Sequence, residues 1–351
     1  MPVTEWPDGA RQAGAGIVKQ VVIENPVLNS AFAEPARHWR FGKEGITNEI
    51  DEARRVSAYF VPIAQPRKRG QRQLFDTEWT QARIKPNDFI NRVRARVDLW
   101  RKRGRPDLTR TTRLLLDYWT NPERERKLFF CQIEALETVI YIAEAAGRNG
   151  DEWIEGELRR ANDAANPGLY RIALKMATGS GKTVVMGMLI AWQALNRLAE
   201  PTSGRYSDTF LIVTPGITIR DRLRVLLPND PNNYYEQRDI LPPDLLGELG
   251  KARIFITNFH AFLPHEKTES SKLGKQVLAQ GREGAFKETP DEMVRRACRE
   301  LGNKRNIVVL NDEAHHCYRH KPDGEEVKLT GDARHEAEER KKAARIWISG
   351  L

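Results

Sequence analysis

A short glycine-rich turn lies between an apolar run and a helical stretch near the middle of the chain. The run from Tyr170 to Met176 leads directly into Ala177-Thr178-Gly179-Ser180-Gly181-Lys182-Thr183, and residues 182–198 have the apolar spacing of a helix. Because glycine adopts backbone conformations closed to residues with a Cβ, two glycines here allow successive N–H groups to turn inward at a helix start. The order of strand, turn and helix predicts a phosphate-binding loop.

The residue types in this loop suit a nucleoside triphosphate. We expect the Lys182 ammonium to reach the β- and γ-phosphates and the Thr183 hydroxyl to bind Mg²⁺. The cradle itself is expected to comprise Thr178, Gly179, Ser180 and Gly181. The strict pattern has glycine where this chain has Met176. Since that position lies at the strand end, before the phosphate-wrapping glycines, the substitution weakens the match more than the chemistry.

Two acidic residues follow a second apolar run. Residues 307–310 read Ile-Val-Val-Leu, and Asn311, Asp312 and Glu313 come next. Acids at the tip of a parallel strand face a phosphate loop when both strands belong to one sheet. Asp312 is therefore a candidate Mg²⁺ ligand beside Thr183, and Glu313 a candidate base for the attacking water. An acidic helix start is an alternative explanation for the pair.

After residue 169, short apolar runs alternate with helical stretches along the sequence. This alternation predicts an α/β fold with a parallel sheet flanked by helices. The predicted strands are 170–176, 209–214, 253–257, 306–310 and 345–349, and the predicted helices upstream are 89–100, 109–119 and 128–146. Two polar segments, 228–243 and 264–290, are expected to be exposed loops. Residues 17–23 and 58–62 look strand-like within a first part of mixed pattern.

The positive charge is concentrated at one end. The chain of 351 residues has a formal net charge of +9, and residues 1–127 hold 25 basic against 16 acidic residues, so the remainder is balanced. Such an excess suggests a polyanionic partner, because each neutralised phosphate releases counterions. A solvated surface is the alternative. The candidate phosphate contacts in the densest run are Arg101, Lys102, Arg103 and Arg105.

Five segments of this chain resemble the motifs of superfamily 2 helicases and translocases of the DEAD/DEAH-box group. Residues 176–183 resemble motif I, and Asp312-Glu313-Ala314-His315-His316 resembles motif II. Gln132 resembles the adenine-reading glutamine, and the segments 213–216 and 257–260 resemble motifs Ia and Ib. Within the group, residues 125–351 look like the Res subunits of type III restriction enzymes. The segments 25–30 and 38–41 are also similar to the N-terminal extension of one subgroup.

The resemblance implies a P-loop NTPase lobe of RecA-like fold at 125–351, preceded by a basic, mixed or helical extension at 1–124. It implies ATP and Mg²⁺ as cofactors, movement on double-stranded DNA, and a methyltransferase subunit as partner. His315 is implied to couple the nucleotide site to the nucleic-acid groove. The implied contacts to the DNA backbone are Thr214, Pro215, Thr257 and Asn258. The family also has a second lobe with arginine fingers and a nuclease, and neither is seen up to Leu351. We therefore expect an N-terminal part of a longer motor that hydrolyses ATP weakly alone.

Other classes of protein remain open. They are a superfamily 2 helicase or remodelling ATPase unconnected with restriction, a kinase-like or GTPase-like NTPase, and a non-catalytic nucleic-acid-binding module. Pro106-Asp107 with residues 125–127 loosely fits a nuclease pattern, but the intervening helical stretch opposes it. His315, His316, Cys317 and His320 are crowded like zinc ligands without the usual distant pair. Three cysteines, no 18-residue apolar stretch and no secretion signal predict a cytoplasmic protein without a membrane segment.

Overall fold

The computed structural model describes residues 29–42, 45–60, 84–165, 167–263, 265, 288–302 and 304–312. Several sequence predictions lie outside these ranges: the strands at 17–23 and 345–349, most of the segment 264–290, Glu313, His315 and the 315–320 cluster. The chain divides into two compact units, Met1–Asn91 and Arg92–Leu351. The unit boundary therefore lies upstream of residue 125, where the sequence predicts the motor lobe to begin.

The first unit contains two small antiparallel pairs. Strand β1 (His38–Gly42) pairs with β2 (Gly45–Asp51), and β3 (Ala58–Phe60) pairs with β4 (Ile84–Pro86). The backbone N–H of Ser57 donates to the Asn91 side chain at 2.8 Å, and the Asn91 amide donates back to the Ser57 carbonyl at 2.9 Å. These paired bonds fasten the start of β3 to the first turn of the helix that follows β4.

Four helices come next, each with one apolar face directed inward. Helix α1 (Asp88–Lys102) buries Val93, Val97 and Trp100 at spacings of four and three residues, as an amphipathic helix does. Helix α2 (Arg110–Thr120) is capped by the Thr109 hydroxyl, which accepts from the Thr112 N–H at 3.0 Å. Helices α3 (Phe130–Ile140) and α4 (Glu152–Ala165) follow.

The predicted single helix 128–146 is divided in the structure. After α3 the backbone widens into a π-helical turn, Tyr141–Ala145, and then a 3₁₀ turn, Gly147–Asn149. The wide turn places Tyr141, Glu144 and Ala145 together in the interior.

The core of the second unit is a parallel sheet. Helix α5 (Lys182–Ala199) precedes strand β5 (Thr209–Thr214), which lies between β6 (Arg253–Asn258) and β7 (Val308–Asn311). Leu211 is in register with Phe255 on one side and Val309 on the other. Every residue of β5 is buried, because the strand has neighbours on both edges and cover on both faces.

Short elements connect and cover these strands. They are α6 (Ile217–Arg222), α7 (Tyr234–Gln237), α8 (Leu246–Leu249), α9 (Pro290–Ala297) and the 3₁₀ turns Leu223–Leu226, Pro243–Leu245, Phe259–Phe262 and Arg299–Leu301. One face of β5 packs its Leu211 and Val213 against Phe262, Met293 and Leu301. Each such buried apolar side chain contributes about 1.5–3 kcal/mol to folding.

Two sequence predictions are wrong in this unit. Residues 170–176 form no strand, since a strand requires ladder hydrogen bonds and none of the described strands lies beside this segment. The segment 228–243 is not an exposed loop, because it buries Tyr235, Ile240 and Leu241. The abundant Pro and Asn residues of this segment led to the prediction of an exposed loop, although these three apolar side chains are buried.

Candidate functional site

The glycine-rich turn has the backbone geometry of a phosphate cradle. Gly179 and Gly181 have φ angles of +79° and +81°, in the left-handed region that favours glycine. Between them, Ser180 closes a tight turn by donating from its N–H at 3.3 Å and its hydroxyl at 2.6 Å to the Ala177 carbonyl. Gly181 is the N-cap of α5. The turn therefore leads directly into a helix start, where backbone N–H groups have no intrahelical acceptor.

The residues of the cradle remain accessible at its mouth. Thr178 and Gly179 are exposed, and Lys182 and Thr183, in the first turn of α5, are half-buried. Further along the helix the side chains become buried from Val184 onward. The start of α5 is thus open to a ligand, while most of the helix from Val184 to Asn196 belongs to the core.

Gln132 braces this turn from the side. Its amide nitrogen donates to the Ser180 carbonyl at 3.0 Å, and its amide oxygen accepts from the Phe129 N–H at 2.9 Å. The side chain is only 5% exposed, and a Cβ added to Gly181 would lie 2.2 Å from its nitrogen. The close approach explains why glycine is needed at 181. Gln132, expected to read adenine, is therefore placed against the phosphate turn as well as at the start of α3.

The carboxyl ends of the three parallel strands lie at one edge of the sheet. Thr214 ends β5, Asn258 ends β6, and Asp312 follows β7 with its N–H donating to the Val213 carbonyl at 3.0 Å. The Thr214 hydroxyl is placed to donate to the carbonyls of Gly216 (3.0 Å) and Thr257 (3.3 Å). Four of the predicted functional positions, Thr214, Thr257, Asn258 and Asp312, are thus brought together.

The side chains at this edge differ in what they can offer to a ligand. Thr214 is fully buried and its hydroxyl is used inside the protein, so any contact it makes with DNA is through neighbouring backbone. Pro215, Thr257 and Asn258 are half-buried, and the Asn258 side chain caps the following turn by accepting from the Ala261 N–H at 3.2 Å.

Two contacts, one on each side of β5 along the chain, relate this segment to helix α5. Before β5, Tyr206 packs edge-on against Trp192, with ring centroids 5.9 Å apart. After β5, Leu226 lies beside Gly187, where an added Cβ would be 3.5 Å from its methyl group. The segment that contains β5 therefore progresses along α5 from residue 192 toward residue 187, in the direction of Lys182.

The four predicted phosphate contacts in the basic run divide into two pairs. Arg101 and Arg105 are mostly buried, and their Nε groups donate to the two carboxylate oxygens of Glu137 at 2.7 and 2.8 Å. Lys102 and Arg103 are exposed, with the Lys102 ammonium 2.7 Å from Asp98. We use the term basic loop for residues 102–110, which join α1 to α2.

Three buried carboxylates were not singled out by the sequence analysis. Glu137 is on α3, Glu144 on the π-turn and Asp151 before α4. A signal existed for Glu137, which falls on the apolar face of α3 four residues after Ile133 and three before Ile140. A charged residue at such a position is buried with a partner.

Asp151 and Glu144 each tie several elements together. Burial alone raises the pKa of Asp151, but hydrogen bonds from Tyr141, Arg96 and Trp153 outweigh it and lower that pKa. Burial and the hydrogen bond to Asp151 raise the pKa of Tyr141 to about 12. Glu144 accepts from the Thr112 hydroxyl, the Thr109 N–H and the Trp192 indole at 2.6, 3.0 and 2.9 Å.

An open depression of about 450 Å³ lies beside Asp151. Its wall includes Arg92, which is stacked 3.8 Å above the Trp153 ring, and Arg96, which is paired with Asp151 at 2.6 Å. Because these polar groups bond to one another, we assign the depression no ligand.

The part of the chain that the structure describes contains neither a preformed metal cage nor a membrane span. Within the described ranges, no three His, Cys, Asp or Glu side chains lie close enough to hold a metal ion. Mg²⁺ at nucleotide sites is held by one or two protein oxygens together with phosphates, so Thr183 and Asp312 fit that role without a cage. The described helices include none with the length and apolar character to cross a bilayer.

Comparison with known proteins gave one match. The family model described as type III restriction enzyme, res subunit, matches residues 125–346, which is more than half of the chain. Comparisons with curated proteins and with solved structures found no match. The family match confirms the predicted resemblance and the predicted α/β fold class, a RecA-like P-loop fold with a parallel sheet flanked by helices.

Proposed function

The chain belongs to the family of the res subunit of type III restriction enzymes, and from that premise we propose that residues 125–351 form the ATP-binding lobe of a DNA-dependent motor. The family is one of helicase-like ATPases. The observation that carries the proposal is the cradle at 177–183, in which two left-handed glycines precede a helix start and a buried glutamine braces the turn. These residues fit a nucleoside triphosphate held by its phosphates.

Each residue of the proposed site has one task. The N–H groups around Gly179 and Gly181 bind phosphate oxygens, and the Lys182 ammonium neutralises charge on the β- and γ-phosphates. The Thr183 hydroxyl and the Asp312 carboxylate orient Mg²⁺, which when bound draws electron density from the γ-phosphate. Glu313 accepts a proton from the water that attacks the γ-phosphorus, while the bond from this phosphorus to the β–γ bridging oxygen breaks and ADP leaves. His315 relays the state of the site toward DNA.

The proposed substrate surface is the carboxyl edge of the sheet. Pro215, Thr257 and Asn258 lie there, at or just after the ends of β5 and β6. Contacts to the phosphate backbone suit an enzyme that moves along duplex DNA irrespective of sequence. We further propose that a methyltransferase partner selects the DNA site, as in other enzymes with a res subunit, and that the protein acts in the cytoplasm.

Binding of nucleotide is tested by replacing Lys182. We expect Lys182→Ala to weaken binding of a fluorescent ATP analogue about 10- to 100-fold, since a hydrogen bond to a charged group contributes about 1.5–3 kcal/mol. Lys175→Ala is the matched control, because that lysine is exposed and lies seven residues earlier. Equal affinities of the two variants would contradict the assigned role of Lys182.

Hydrolysis is tested on the full-length gene product with and without duplex DNA. Stimulation by DNA that is lost in Glu313→Gln, with ATP binding retained, supports a DNA-dependent motor. Turnover that is the same in this variant and in the wild type would contradict it. A helicase unconnected with restriction is distinguished by DNA stimulation without any effect of a methyltransferase partner.

A further inference from the structure

The basic loop is held in a strained conformation. Gly104, Arg105 and Asp107 have φ angles of +80°, +55° and +65°. For arginine and aspartate the left-handed region costs on the order of 1 kcal/mol or more each, and such residues persist only where their surroundings impose the shape. The loop is therefore not a relaxed connection between α1 and α2.

Glu137 supplies the principal restraint. Its side chain is fully buried, and its two oxygens accept from Arg101 and Arg105, whose side chains are 16% and 19% exposed. Arg101 ends α1, whereas Arg105 lies inside the strained loop, so one carboxylate joins both to α3. Two further bonds secure the loop: the Trp100 indole donates to the Pro106 carbonyl at 2.9 Å, and Arg113 donates to the Arg105 carbonyl at 3.0 Å.

Stability alone does not account for this arrangement. A buried ion pair is often no more stable than apolar residues of similar volume, because desolvation offsets the attraction. The first turn of α2 contains Arg110 and Arg113 and no acid, although the helix dipole favours acids there. The first feature therefore fixes the loop without an evident gain in stability, and the second leaves two cations at the start of α2 at some cost to the helix.

The cations that remain outside are Lys102, Arg103, Arg110 and Arg113, all exposed. The nearby acids include Asp98, which pairs with Lys102 at 2.7 Å, Asp107, which accepts from the Asn149 amide at 3.2 Å, and Asp117, four residues after Arg113 on α2. The charge of Glu137 is directed inward to its two arginines. The outer surface of the loop is therefore cationic.

We propose that Glu137 is a positioning residue that fixes the basic loop as a phosphate-backbone contact for duplex DNA, an inference that rests on the proposed function. Arg101 and Arg105 act inward as the restraint, and Lys102, Arg103 and Arg110 act outward on phosphates. The loop binds DNA without reading its sequence, since lysine and arginine here face the solvent on a fixed backbone rather than entering a groove.

The test measures affinity for a labelled 30-bp duplex by fluorescence anisotropy over a series of salt concentrations. We expect Lys102→Ala/Arg103→Ala to reduce the slope of log affinity against log salt by up to about 1.8, at about 0.9 per phosphate contact. Lys251→Ala/Arg253→Ala is the matched control, because it removes the same charge from exposed positions at the amino end of β6. A control that loses as much slope overturns the assignment to the loop.

Glu137→Gln separates positioning from total charge. This variant raises the net charge by one unit. If only the total charge matters, the variant should bind DNA more tightly than the wild type. If Glu137 positions the basic loop, the variant should bind DNA more weakly and show a smaller slope of log affinity against log salt. Because two buried arginines lose their partner, the variant can fail to fold. In that case Gly104→Pro tests whether the loop conformation matters for DNA binding. Proline cannot adopt a φ of +80°, and this substitution changes no charge and no core side chain.

The outcomes are distinguishable. DNA affinity and slope equal to wild type in Gly104→Pro, and in Glu137→Gln if it folds, overturn the inference while leaving the motor proposal intact. Wild-type protein that binds no duplex at low salt overturns the DNA part of the proposed function and this inference together.

Discussion

Replacing Gly181 by alanine tests the cradle most directly, because two independent costs coincide at that position. The φ angle of +81° is in the left-handed region, where a residue with a Cβ loses about 1–2 kcal/mol. The new Cβ would also lie 2.2 Å from the Gln132 amide nitrogen. Gln132 is buried and held by Ser180 and Phe129, so moving it forfeits two hydrogen bonds of about 1 kcal/mol each.

The combined cost of about 3–4 kcal/mol is expected to appear in nucleotide affinity, since the turn must take this shape to surround phosphates. At tenfold for each 1.4 kcal/mol, Gly181→Ala should weaken binding of a fluorescent ATP analogue about 140- to 700-fold. Gly179→Ala is the matched control. It shares the left-handed backbone, but a Cβ there meets no described atom within 4 Å. Its loss should be about 5- to 30-fold from strain alone.

The double variant Gln132→Ala/Gly181→Ala identifies the overlap itself. With the amide removed, the part of the loss that comes from the clash disappears, so the two substitutions should be less damaging together than the sum of their separate effects. Thermal unfolding establishes that each variant is folded. Gly181→Ala with the affinity of Gly179→Ala, or strictly additive effects in the cycle, would refute the argument that Gln132 braces the turn.

Two further predictions concern the framework that supports the site. Leu136 is fully buried on α3, so Leu136→Ala should lower the free energy of unfolding by about 2–5 kcal/mol, as measured by urea titration. A decrease of less than about 1 kcal/mol would contradict the place of Leu136 in the core. The pKa of Asp151 is lower in the folded protein than in the unfolded chain, where it is near 4. Its ionised carboxylate therefore stabilises the fold at pH values above the unfolded pKa, and this stabilisation is lost as the pH falls through the folded pKa. Asp151→Asn should therefore be less stable than wild type at pH 7 and differ less from it below pH 4; a difference that does not change with pH would be inconsistent with this.

The elements with strong periodicity were predicted well from the sequence. The predicted helix 182–198 is α5 (Lys182–Ala199), and the predicted strand 209–214 is β5 without change. In both, long apolar runs or a clear helical spacing coincide with full burial. The pattern also located the glycines of the cradle, because a left-handed turn before a helix has a composition that few other structures share.

Features that depend on distant partners were not visible in the sequence. Residues 170–176 have a strand-like composition, but a strand also needs a neighbour, and composition does not supply one. Arg101 and Lys102 are adjacent in a basic run, yet one is buried on Glu137 and the other is exposed. The difference is set by a carboxylate 36 residues away in sequence, which no local window contains.

Helix α3 carries both supports described above, Gln132 under the phosphate turn and Glu137 under the basic loop. Five residues of α-helix rise about 7.5 Å, so α3 holds Gln132 and Glu137 at a constant separation along its axis. In the proposed motor cycle, the spacing between Gln132 at the proposed nucleotide site and Glu137 at the proposed DNA contact is set within one helix. Inserting one residue into α3 between Gln132 and Glu137 would rotate one of these side chains by about 100° about the helix axis, away from the group that it contacts, while the other stayed in place.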